Sequence, residues 1–251
     1  MAKPKIAIFD FACCEGCQLQ IVNLEEEILS LLGGADVVEW REAMSEKSDE
    51  YDIAIIEGSI TRMEDEEKLK LIRSRAKVLI ALGACATIGG VNKLKNNFDD
   101  LDEVKKCVYG RAASKPHLRT GLTKALDEVV QVDFYVHGCP IDRSEFTYIV
   151  RSLLLGKTPE IPDYPICVEC KAKGNPCLWQ YDQVCLGPVI RAGCGARCPS
   201  NGFRCFGCRG YTSNPNVDAA KDVITRYGLN LDDLKTKMVL FGSNQEPTIY
   251  E

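Results

Sequence analysis

The sequence predicts an α/β protein: a flavodoxin-like parallel sheet followed by a small loop-rich unit built around cysteines. Three observations carry that reading. Short apolar runs alternate with helix-patterned stretches as far as Leu155, as expected for strands buried on both faces of a parallel sheet. Past Pro159 that periodicity stops, and Gly and Pro become frequent. Eight of the 14 cysteines fall between Cys167 and Cys208. The expected division is residues 1–158 for the sheet domain and 159–251 for the cysteine-rich one.

Residues 5–11 (KIAIFDF) read as the first strand. A helix from Gln18 to Leu32 follows, closed by Gly33 and Gly34. Asp36 to Trp40 is a short second strand, and Asp52 to Glu57 a third that ends in Gly58 and Ser59. The next helix, Glu64 to Arg75, carries acids in its first turn and Arg73 and Arg75 in its last, matching its dipole. Lys77 to Leu82 is the fourth strand, ending at Gly83, Ala84 and Cys85. After a loop-rich stretch, Arg119 to Val130 has a helical pattern, and Val132 to Val136 is the fifth strand, running into His137, Gly138, Cys139 and Pro140. Asp142 and Glu145 form a capping-box pattern for a helix reaching Leu155, with Gly156 past its end.

This topology turns scattered cysteines into one site. In an open parallel sheet the loops leaving the carboxyl ends of the strands share one edge, where ligands bind. Cys14 and Cys17 follow the first strand, Cys85 the fourth and Cys139 the fifth. Four thiols therefore converge on one edge, with Gly16, Gly83 and Gly138 allowing close backbone approach. Glu57 ends the third strand at the same edge. It is either an acid beside the bound group or a loop-bonding residue. His137 is assigned a supporting or structural place, not a ligand's. Cys13 is expected to pack, and Cys107, in a charged segment without partner spacing, is a bystander.

Composition excludes other classes. A net charge of -5 gives no basic footprint for nucleic acid. No run approaches the roughly 20 apolar residues of a membrane helix, and the start MAKPKIAIFDF has no apolar leader or twin arginine. The expectation is a soluble cytoplasmic protein, and in that compartment cysteine density signals metal ligation before disulfides.

From Cys167 the spacings are C-x2-C-x6-C-x7-C and then, from Cys194, C-x3-C-x6-C-x2-C. The ligands would be Cys167, Cys170, Cys177 and Cys185, then Cys194, Cys198, Cys205 and Cys208. With the sheet-edge four, these make three fours, the demand of three four-iron clusters. A stretch so poor in periodic apolar residues needs bound metal for stability. Spacing alone leaves zinc open, through the C-x-x-C pairs Cys167/Cys170 and Cys205/Cys208. The tail shows an amphipathic segment, Asn216 to Tyr227, and a polar end.

The motifs C-E-G-C at 14–17, E-G-S at 57–59, G-A-C at 83–85 and G-C-P at 138–140 together resemble the small subunit of nickel–iron hydrogenases. The run CLGPVIRAGCGARCPSNGFRCFGCRG, Cys185 to Gly210, is similar to the C-terminal part of that family's cytoplasmic, multi-subunit members. The resemblance implies three 4Fe–4S clusters. The proximal one would take Cys14, Cys17, Cys85 and Cys139. By chain order, the distal one would take Cys167, Cys170, Cys177 and Cys185, and the medial one Cys194, Cys198, Cys205 and Cys208. Periplasmic and membrane-bound members typically place a histidine where this chain has Cys167, and many hold a three-iron medial cluster where Cys198 offers a fourth thiol. All-thiolate ligation leaves more negative charge on a cluster and tends to lower its potential.

Twelve of the 14 cysteines are used in this way, so no C-x-x-C pairs remain for a nickel–iron centre. Hydrogen chemistry then belongs to a partner large subunit. No G-x-G-x-x-G follows a strand, so any flavin or nucleotide site would sit on another chain; the resemblance implies a diaphorase or ferredoxin-linked module as the acceptor. Two alternatives stand beside this one. A quinone-reductase-type cluster subunit would share the first half and the adjacent Cys13-Cys14, leaving the C-terminal cysteines unused. A zinc-ribbon scaffold or assembly protein would use those and leave the sheet-edge four.

Overall fold

The computed structural model describes residues 3–228 and 231–241. All five expected strands form: β1 (Lys5–Asp10), β2 (Asp36–Trp40), β3 (Ile53–Glu57), β4 (Val78–Leu82) and β5 (Phe134–Val136). They make one parallel sheet in the order β2-β1-β3-β4-β5, a doubly wound order whose switch point lies between β1 and β3. The register brings the carboxyl ends level: Asp10 faces Glu57, Glu57 faces Leu82, and Leu82 faces Val136. The loops that follow therefore leave from one line.

Side chains alternate across a strand, so a run of consecutive apolar residues feeds two cores. Ile6, Ile8, Ile53, Ile55, Ile80, Leu82 and Val136 face one side. They pack there against α1 (Gly16–Val22), α2 (Glu26–Leu32) and α6 (Arg143–Leu154), through Ile21, Leu31, Phe146 and Ile149. Ala7, Phe9, Ala54, Ile56, Leu79 and Ala81 face the other, against Leu69 and Ile72 of α3 (Met63–Arg75). Each fully buried Ile or Leu contributes roughly 1.5–3 kcal/mol relative to exposure.

The structure corrects several helical expectations. The single helix expected from Gln18 is two, α1 and α2. Between them Glu25 has φ 53°, Leu24 turns into the core, and the freed carbonyl of Asn23 accepts Arg143 Nη1 at 2.7 Å. Cys85 lies inside a short helix, α4 (Gly83–Ile88). The loop-rich stretch holds α5 (Leu101–Tyr109), capped by Asp100 accepting from the amides of Asp102 and Glu103. The helix expected over Arg119 to Val130 does not form; only a 3-10 turn, Leu126–Glu128, does. Tertiary pairing takes its amides instead. Lys124 exchanges two backbone bonds with Ile60 (2.9 and 2.8 Å), and Gly121 N–H donates to the carbonyl of Thr61 at 2.7 Å.

The second half carries α7 (Cys167–Ala172), α8 (Arg197–Ser200), α9 (Val217–Arg226) and α10 (Leu231–Met238). α9 is the expected amphipathic segment, capped by Asn216. α10 occupies part of the expected polar end, whose residues 242–251 lie outside the described residues. Ile166, Trp179, Leu186, Val189, Ile190, Ile224, Leu234 and Met238 form a core of their own, so this half buries more apolar surface than its composition suggests. No helix among the described residues is long and apolar enough to cross a membrane.

Candidate functional site

The sheet edge brings together the four thiols that topology assigns to it. Cys14 precedes α1 and Cys17 lies in its first turn; Cys85 sits in α4, and Cys139 follows β5. Burial, then the neighbouring Cys139 and Cys14, push Cys85 up to about 12. Burial and Cys14 likewise raise Cys139. Burial, then Glu57, raise Cys17, with Cys139 adding to the effect. The sulfurs lie against bare backbone. A Cβ on Gly83 (φ +80°) would overlap Cys17 Sγ, and one on Gly90 would stand 2.9 Å from Cys85 Sγ. None of the fourteen cysteines is paired in a disulfide.

Glu57 is 2% exposed. Its carboxylate accepts the amides of Cys17 (3.1 Å) and Gln18 (3.0 Å), which fixes the start of α1. Burial raises its pKa against those two bonds. Gln18 in turn accepts Trp40 Nε1 at 2.8 Å. Glu57 thus bonds the loop, and its charge also bears on Cys17, Cys85 and Cys139. His137 is buried and stacks on Tyr135, with ring centroids 5.6 Å apart. Burial, then Arg191 and Arg209, lower its pKa well below 6.5, so the imidazole is neutral. Cys13 is half-buried beside this edge, pushed to about 12 by burial and then Glu57. Cys107 is exposed on α5.

The C-terminal eight form two further groups. Burial, then Cys185, Cys170 and Cys177, push Cys167 to about 12. A Cβ on Gly187 would stand 3.1 Å from Cys167 Sγ and 3.6 Å from Cys185 Sγ. Cys194 bears electrostatically on Cys198, Cys205 and Cys208. Burial is again the leading cause, taking Cys208 to about 11. The groups also adjoin. Cys139 bears electrostatically on Cys208, and the backbone amide of Cys205 donates to Cys185 Sγ at 3.2 Å. The Cys194 group therefore stands between the other two.

This donor set fits iron–sulfur ligation: fours of thiols, each four bordered by buried backbone. Buried thiols this reluctant to ionise become thiolates when metal charge replaces their protons. Among the described residues no three Cys, His, Asp or Glu side chains close on a single ion-sized point.

Two carboxylates and one arginine were missed in the sequence. Glu169, between Cys167 and Cys170, accepts the amides of Gly193 (2.8 Å) and Ala196 (3.0 Å), which flank Cys194. Glu145 does not close the expected capping box. Asp142 does cap α6, accepting from Ser144 and Glu145 N–H at 3.0 and 3.2 Å. The Glu145 carboxylate turns away to Arg209 at 2.6 Å. An arginine directly after a C-x-x-C was the only local signal, and it names no partner.

The model of the NADH ubiquinone oxidoreductase, 20 Kd subunit, family matches residues 14–153. Sulfhydrogenase 2 subunit delta of Pyrococcus furiosus is 36% identical over 222 residues, spanning 88% of this chain and 92% of its own length. The chain belongs to that family, as a hydrogenase subunit. A subunit of the F420-non-reducing hydrogenase of Methanothermobacter marburgensis is 32% identical over 255 residues, spanning 87% of this chain and 82% of its own. Among solved structures, an NAD+-reducing NiFe hydrogenase in the hydrogen-reduced state aligns with TM-score 0.59 and 27% identity, covering 64% of this chain and 96% of that one. A match over 88% of the chain runs through Cys167 to Cys208, which the family model does not reach.

Proposed function

We propose that this hydrogenase subunit is the electron-transfer arm of a soluble, cytoplasmic nickel–iron enzyme. Its sheet domain, 1–158, would hold a proximal 4Fe–4S cluster on Cys14, Cys17, Cys85 and Cys139. The domain 159–251 would hold a medial cluster on Cys194, Cys198, Cys205 and Cys208, and a distal one on Cys167, Cys170, Cys177 and Cys185. When bound, such clusters supply one-electron carriage between a partner large subunit with the Ni–Fe site and a diaphorase or ferredoxin-linked module.

The observation that carries this reading is the succession of the three thiol groups, which adjoin through the electrostatic effect of Cys139 on Cys208 and the bond from Cys205 to Cys185. A relay needs successive carriers in close approach; three independent structural metals do not. The chain's own residues contribute the rest. Glu57 and Glu169 hold the backbone of the Cys17 and Cys194 loops. Glycines admit a bulky group against the chain, and burial keeps water off Cys17, Cys185 and Cys205. N–H bonds to sulfur, such as Cys205 to Cys185, stabilise added negative charge and so tune potential. A zinc scaffold would need four donors about 2.3 Å from each ion, and it offers no reason for groups to stand in line.

Iron, sulfide and zinc analysis of the anaerobically purified complex tests this. About twelve irons and twelve sulfides per chain are expected. A content near four irons with stoichiometric zinc would overturn it.

A further inference from the structure

Among the described residues, Arg209 is the largest of the fully buried side chains, at 1% exposure. A buried guanidinium is costly unless its donors are satisfied, and its bonds reach three separate segments. Nη1 and Nη2 grip the Glu145 carboxylate of α6 at 2.8 and 2.6 Å. Nη1 also donates to the carbonyl of His137 at 2.7 Å, two residues before Cys139. Nε donates to the carbonyl of Ala192 at 2.7 Å, two residues before Cys194. Arg209 itself follows Cys208. The surroundings are shaped for the pair: Gly193 has φ +114°, and a Cβ there would overlap Nη2 and stand 2.7 Å from Glu145 Oε1.

We infer that Arg209, held by Glu145, is a positioning residue that sets the gap between the Cys139 group and the Cys194/Cys208 group, and with it the rate at which an electron crosses. This rests on the electron-carrier reading above. The neighbouring gap has separate supports, the Cys205 amide on Cys185 Sγ and Glu169 on Gly193 and Ala196. Arg209 therefore acts on one gap of the two. Its planar fork matters as much as its charge, because a lysine ammonium cannot grip a carboxylate side-on while reaching two carbonyls.

The test uses the purified holo-complex and two variants. R209K keeps the charge and loses the fork; E145D keeps both charged groups and shortens the carboxylate's reach. Iron and sulfide content, paramagnetic resonance of the reduced clusters, and hydrogen-driven dye reduction are measured together. Exchange between the distal cluster and an external one-electron dye is followed separately by rapid mixing. Both variants should retain full iron yet show an altered magnetic interaction between proximal and medial clusters. Hydrogen-driven reduction should slow about tenfold or more, with distal exchange at the parent rate. A fully loaded R209K with the parent's magnetic interaction and turnover would overturn the inference, as would equal slowing at the distal end. Should R209K fail to assemble, E145D decides by the same criteria. Failure of the underlying reading is distinct, since the unmodified complex would then lack three clusters.

Discussion

Cys198 shows how one side chain sets the chemistry of a site. It lies in the first turn of α8, half-buried, raised by burial and then by Cys194. If it completes the medial four, Cys198→Ala removes one corner ligand and one iron should leave. Paramagnetic resonance of the oxidised variant should then show a three-iron signal absent from the parent; an unchanged spectrum with full iron would make Cys198 a structural thiol. Gly83→Ala tests the opposite end. Its left-handed φ of +80° costs a side chain roughly 1–2 kcal/mol, and the new methyl overlaps Cys17 Sγ. If the sheet-edge four hold a four-iron cluster, iron analysis should find about four irons fewer per chain, with any iron on the C-terminal eight thiols retained. The sheet-edge thiols were legible because each sits beside a glycine at a strand end, and a parallel sheet has one carboxyl edge. Arg209 was not, because its partner Glu145 is 64 residues away and already fits a helix-capping pattern.

Strands could be read almost residue for residue, since β1, β3 and β4 are apolar runs flanked by turn residues that bury both faces. Helices were harder wherever tertiary bonds compete for the backbone. The 119–130 segment has helical spacing, yet Ile60 and Thr61 take its amides, and Thr123 is pinned through its N–H to Asn96 Oδ1 at 2.8 Å and its hydroxyl to Asn92 O at 3.0 Å. Nothing local announces those partners. At α6 the cap was legible and its consequence can be measured. Asp142 accepts two first-turn amides and meets Arg197 at 2.8 Å, tying the helix to α8. Asp142→Ala should cost about 1 kcal/mol through the cap, read as a lower denaturation midpoint with an unchanged slope. The partly exposed ion pair should add well under that. A loss near zero would show that the helix start is held by its neighbours instead.

Across the whole molecule, the thiol groups are ordered by adjacency: the sheet-edge group, then that of Cys194, then that of Cys167. The middle place goes to cysteines that come last in the sequence, because Cys205 and Cys208 fold back between the others. If electrons traverse this line, the Cys167 group is the exit, and its potential selects the acceptor. Cys167 lies at the start of α7, beside exposed Val168 and the 44%-exposed Tyr164. Replacing its thiolate with a neutral imidazole in Cys167→His removes one negative charge from the distal ligand set. The distal potential should therefore rise. Hydrogen-driven reduction of a high-potential dye should persist, because the uphill end of the line is untouched. The equilibrium for transfer to a low-potential acceptor should become about tenfold less favourable for each 59 mV of one-electron shift, and that transfer should slow. Redox titration followed by paramagnetic resonance gives the potential, and steady-state assays with the two acceptors give the rates. A raised potential with both rates at parent values would show that electrons leave from another part of the C-terminal half.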